Sequence, residues 1–209
     1  MKKRLGFLII SIISALLISW IIAFENVEAA SYQQKNALKM AQQCEYYIEA
    51  YASNMPKGTK HIKLTKKNKL TISGTVDFGT GNAMQNCQDL FGKKISASVL
   101  PIEKNWETNL KNYANLDKLV VRLDNGDIVC NLGDTGDYYL KTKLRSFKKS
   151  GNTYILKVNN YNCLDYGDGE TTLKFATTTF RLKTCLKSKF GLKITGISIQ
   201  KLTNESIFF

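Results

Sequence analysis

A chain of 209 residues with 44% apolar residues is long enough for one domain with a proper core, and its formal net charge of +13 directs attention to anionic partners. A single histidine, His61, excludes any His-dependent triad or multi-histidine metal site in which His61 itself does not serve. The lysines are spread along the chain rather than clustered, so the charge by itself describes a soluble, basic surface.

The chain opens with Met1-Lys2-Lys3-Arg4, an uncharged apolar run from Leu5 to Phe24, and then small residues around Val27-Glu28-Ala29. This order predicts a secretory signal cleaved after Ala29 or, since the run is long enough to span a bilayer, a retained anchor touching the membrane through residues 5–24. Either way residues 31–209 are expected outside the cytoplasm, secreted or held on the outer face of the membrane. Loss of residues 1–29 would remove three Lys/Arg and two Glu and leave a net charge of +12. A pilin-type continuous helix is the weaker alternative, because the run has no acidic residue and Ser31-Tyr32-Gln33-Gln34 is a capping-box pattern that begins a new helix.

From Ser31 to Ser53, Ala37, Met40, Ala41, Cys44, Tyr47, Ile48 and Tyr51 recur at three and four, which predicts an amphipathic helix ended by Met55-Pro56-Lys57-Gly58. Leu70, Ile72, Gly74, Val76 and Phe78 then alternate with polar residues and read as a half-buried strand, with Lys63, Lys66, Lys67 and Lys69 solvating an edge. Ala83, Cys87 and Leu90 share one face of a short helix closed by Gly92. The glycines before it lack the Lys-Ser/Thr pair of a phosphate loop. Ile95 to Leu100 reads as a strand, and Trp106, Leu110 and Tyr113 fall at helical spacing.

The stretch from Leu119 to Leu202 reads as antiparallel hairpins. Asn125-Gly126 marks the first turn, residues 148–152 the second and Lys187 to Gly191 the last. Leu140 and Leu144 alternate with Lys141, Lys143 and Arg145, as expected of a sheet with one buried and one wet face. An up-and-down meander would place the turns at Asn125, Gly151 and Lys189 at one end. It would gather Asp134, Asp137, Asp165, Asp168 and Glu170 at the other, an oxygen-rich candidate for Ca²⁺. Helix first and long hairpins last is an α+β layout that resembles the cone-shaped nuclear-transport-factor-2-like folds, with a lipocalin-like barrel as the alternative; residues 31–209 form its single domain.

Five cysteines in an exported chain allow two bridges, and Cys44 with Cys87 and Cys130 with Cys163 are the expected pairs. With no catalytic set in view, the leading reading is a non-enzymatic secreted or surface-tethered protein that binds a protein or an extracellular polyanion. The alternative is a small-ligand carrier or enzyme with a pocket on the concave face of the sheet, lined by Tyr138, Tyr154, Phe175 and Phe180.

Overall fold

The structure is a computed structural model, and it describes residues 31–76, 82–104, 116–130, 138–165 and 170–202, with the backbone alone at Tyr138, Asp165 and Glu170. The chain divides into two units, residues 1–35 and 36–209. Of the first, residues 31–35 are described, and they are helical. The expected signal or anchor and the helix around Trp106 lie outside the described residues, among which no helix is long and apolar enough to cross a membrane.

The described residues form an α+β fold. Its main sheet has five strands in the order β1-β7-β6-β5-β4: β1 Gly58–Ile62, β4 Tyr138–Ser150, β5 Thr153–Asp165, β6 Glu170–Thr184 and β7 Leu192–Lys201. All pairings within it are antiparallel. From β4 to β7 the strands follow one another in sequence and in space, as the hairpin pattern predicts, and Gly151 and Gly191 take positive φ in the two turns at one end. The first hairpin departs from that expectation. β2 (Val120–Arg122) and β3 (Ile128–Cys130) pair as a separate two-stranded sheet, so the turn at Asn125 does not share an end with those at Gly151 and Lys189. Their connection is closed by bonds from Gly126 N to Leu123 O and from Leu123 N to Asp127 O, at 2.9 and 2.8 Å.

The first helical stretch bends. Residues 36–42 are helical and form α1, and α2 runs from Glu45–Ser53, the break falling where Cys44 N turns back to Ala41 O at 3.1 Å. Ala37, Met40, Ala41, Cys44, Tyr47 and Ile48 are buried as their spacing requires. At the far end of α2, the buried Lys201 donates to Met55 O at 2.9 Å and to Ser53 O at 3.5 Å, a cation on the electronegative end of a helix.

Two segments expected as strands are helical. Lys66–Gly74 is α3, begun by Thr65, whose side chain accepts from Asn68 N at 3.1 Å. The alternation misleads because the polar residues are buried as well: Thr71 and Ser73 each donate to the carbonyl four residues back, at 3.0 and 2.8 Å. A hydroxyl satisfied within its own helix does not need a wet face. Within the Ile95–Leu100 stretch, Ala97–Val99 is a 3-10 turn capped by Ser96, and strand-like pairing begins only at the Ile102–Arg122 bridge. α4 (Ala83–Phe91) ends at Gly92 with φ 72°, as its sequence predicts.

None of the five cysteines is in a disulfide, so the expected bridges Cys44–Cys87 and Cys130–Cys163 are not formed. Cys44 packs at the α1–α2 break, Cys87 faces Ser73 on α3, and Cys130 sits on the small sheet while Cys163 lies on the large one. Burial pushes the thiols of Cys44 and Cys87 up, and that of Cys130 up to about 12, which makes them core groups rather than nucleophiles.

α3 and β2 approach so closely that a Cβ on Gly74 would lie 2.6 Å from Val120 Cγ1. Helix propensity alone favours Ala there by about 1 kcal/mol, whereas overpacking costs about 1–3 kcal/mol. Gly74→Ala is therefore expected to lower stability in urea melts, and adding Val120→Ala to lower it by less than the sum of the two single changes. Strict additivity would contradict the packing.

Candidate functional site

The main sheet has two unlike faces, and the cross-strand register defines both. Leu156, Phe180 and Ile197 oppose one another along one row of the buried face, with Val158, Thr178 and Ile199 along the next. On the other face, Ser146, Lys157, Thr179, Ser198 and His61 form one continuous row across all five strands. Beside it run Lys143, Asn159, Thr177, Gln200 and Thr59. Neighbouring strands are about 4.8 Å apart, so each row extends about 19 Å.

A groove of about 520 Å³ lies on this face, with Arg145, Lys157 and Arg181 from three successive strands and Thr59, Thr179 and Ser198 among its walls. Arg145 is placed by a bulge between Leu144 and Ser146. The stem of Arg181 lies along Gly196, where a Cβ would touch its Cδ at 3.4 Å. His61 and Ser198 share a hydrogen bond between Nδ1 and Oγ on directly paired residues, and Thr177 donates to Asn159 Oδ1 at 3.2 Å. Along the five strands the sequence places only two acidic residues, Asp165 and Glu170, at the joined ends of β5 and β6. Among the described residues no carboxylate pairs with Arg145, Lys157 or Arg181. The groove therefore presents cations without carboxylate partners among the described residues, backed by hydroxyl and amide groups, a donor-rich surface for oxyanions.

The helix-covered face carries a polar line through the core. Thr178 donates to Asn160 Oδ1 at 2.7 Å, Asn160 to Thr142 Oγ1 at 3.1 Å, and Thr142 to Glu45 Oε2 on α2 at 3.1 Å. Every donor points towards Glu45. Its carboxyl also lines a second pocket, of about 510 Å³, with Lys39, Gln43, Tyr46, Lys189 and Phe190. Burial outweighs the Thr142 hydrogen bond and raises the Glu45 carboxyl from its ordinary 4.5 to about 7. Lys189 is held by Asp89 at 3.0 Å.

The aromatics expected to line a concave pocket are placed differently. Tyr154, Phe175 and Phe180 are buried in the hydrophobic core, where Phe147 stacks on Tyr154 at 5.6 Å, and none of the three lines either pocket. The Tyr138 side chain lies outside the described residues. So do the side chains of Asp134, Asp137, Asp165, Asp168 and Glu170; the backbone brings the start of β4 opposite Leu164, beside the Asp165–Glu170 connection. Comparison with known proteins gives no match to a family model, a curated protein or a solved structure.

Because the Glu45 carboxyl binds its proton more tightly in the folded than in the unfolded chain, its contribution to stability is full below about pH 4.5. That contribution is lost as pH rises through about 7. Relative to Glu45→Gln, the wild-type chain is expected to lose about 2 kcal/mol between these limits, allowing for solvent screening at a partly open site. Denaturant melts across the range check this, and parallel stability curves for the two proteins would contradict it.

Proposed function

We propose that this chain is a non-enzymatic extracytoplasmic binding protein, secreted or tethered by its N-terminus, that holds a polyanion across the open face of its sheet. The observation that carries the reading is the convergence of Arg145, Lys157 and Arg181 from three adjacent strands on one groove that has no carboxylate counterpart among the described residues. Like charges on neighbouring strands repel, at a modest cost here because Lys157 opposes Ser146 and Thr179, and Arg181 opposes Ile155 and Gly196, rather than one another. An incoming row of anionic groups removes that cost and releases its own counterions.

The occupant is an extended chain of phosphate, sulfate or carboxylate groups. The rows of Ser, Thr, Asn and Gln across β4 to β1 offer neutral donors between and beyond the cations, suited to a ligand that runs across the strands. A filled core beneath the sheet favours this outer surface over a deep cavity. For the fold itself, the cone-shaped reading is preferred to a closed barrel. In its support, β1 and β4 stand at opposite ends of the strand order, and helix α2 packs on β4, β6 and β7.

Inorganic polyphosphate is a suitable probe for the full chain. Binding is expected to weaken steeply with salt, and the combined change Arg145→Gln, Lys157→Gln, Arg181→Gln to lower affinity about ten-fold or more and flatten the log–log salt slope by about two. The exposed lysines Lys66, Lys93 and Lys94 lie outside the groove and serve as the matched control. Equal losses in both triple variants, or no binding by the wild-type chain, would overturn the proposal.

A further inference from the structure

The pocket at the α1–α2 break is independent of the open face and has a different chemistry. Its lining includes Glu45, one carboxyl oxygen of which accepts from Thr142 while the other takes no hydrogen bond among the described residues. Among the described residues no Lys or Arg pairs with Glu45. Next to it, Gln43 Oε1 is buried and also lacks a donor. Two acceptor oxygens at this pocket, one on Glu45 and Oε1 of Gln43, thus have no donor among the described residues. A half-buried carboxyl with no counter-charge is costly in its ionised form, and a ligand that brings a cation removes the cost.

The remaining wall is of another kind. Lys39 on α1 is exposed and has no carboxylate partner among the described residues, whereas the charge of Lys189 is already engaged by Asp89. Val76 and Phe190 are the apolar members of the lining, with the Lys189 ammonium 5.1 Å from the centre of the Phe190 ring. Among the described residues, the charged and titratable groups around Glu45 are Lys39 from α1, Lys189 with Asp89 from the β6–β7 turn and α4, Cys44 at the α1–α2 break, and Tyr46 and Glu49 from α2 itself; β4 contributes the neutral Thr142.

The geometry points to a binding site for a small zwitterion, an amino acid with an apolar side chain: its ammonium sits on Glu45, its carboxylate faces Lys39, and its side chain lies against Val76 and Phe190. A pocket of about 510 Å³ is large enough for such a molecule with water. Binding of the ammonium favours the ionised carboxyl, so the complex forms with release of part of a proton near neutral pH.

The test is calorimetric titration of L-leucine into the full chain at pH 7, in two buffers of different ionisation enthalpy. The expected result is one site per chain and release of part of a proton, because burial raises the Glu45 carboxyl and an ammonium partner lowers it again. Glu45→Gln keeps the shape of the group and is expected to abolish proton release and weaken binding about ten-fold. Lys39→Met, at an exposed position that does not hold the fold, is expected to weaken leucine but not n-butylamine, and butyrate alone to bind least. No heat from leucine and n-butylamine at millimolar concentration, unchanged binding by a folded Glu45→Gln, or butyrate binding more tightly than n-butylamine would overturn the assignment. Equal binding of leucine and n-butylamine together with no effect of Lys39→Met would overturn its zwitterionic part. Loss of polyphosphate binding leaves these outcomes unaffected, because the two sites share no lining residue.

Discussion

The alternation of side chains along β4 to β7 is the constraint on which the rest depends. It sends Leu156, Phe180 and Ile197 to the helices and Lys157, Thr179 and Ser198 to solvent, and a slip of one residue in any pairing would exchange the two sets. The buried face determines the register, and the register in turn aligns cations from three strands on the open face. Surface groups so arranged repel one another, and ordinary surfaces reduce that repulsion by interspersing acids. Here the strand interiors contain none.

A second constraint lies inside. The line Thr178–Asn160–Thr142–Glu45 crosses β6, β5 and β4 and ends on α2, replacing apolar contacts with hydrogen bonds whose donors all run one way. An amide or hydroxyl buried at such positions is tolerated only when its partners are in place, so the line locks three strands to one helix in one register. At the opposite end of α2, Lys201 from β7 does the same for the last carbonyls of the helix. The helix is thus fixed to the sheet at both ends. The break between α1 and α2 is where Glu45 leaves the apolar stripe to reach the pocket.

Much of the fold was legible in the sequence. The long hairpins, the helix stripe from Ala37 to Ile48 and the glycine-capped α4 follow from period and turn chemistry alone. α3 is not legible as a helix because Thr71 and Ser73 find their acceptors inside it, so its buried second half, Leu70 to Gly74, imitates a half-wet strand. Cysteines on inward faces suggested bridges, but inward-facing is a weaker condition than facing one another, and all five remain thiols. The candidate sites were harder to see. Arg145, Lys157 and Arg181 look like scattered charges until the pairing register and the bulge at Arg145 align them. A signal for Glu45 was present in the sequence: Thr142, Asn160 and Thr178 are polar at core-facing positions of three successive strands, and such residues need a common polar destination.

On the proposed reading the two faces of one sheet divide the labour, one holding the protein together and the other holding a polyanion. Backbone amide NMR of the full chain during titration with a short polyphosphate tests this division. Shifts are expected to concentrate on Lys157, Thr179, Arg181, Ser198, Gln200 and His61, with α2 to α4 unmoved. Shifts spread over the lysines of α3 and of Lys93 and Lys94 as strongly as over the sheet would contradict it.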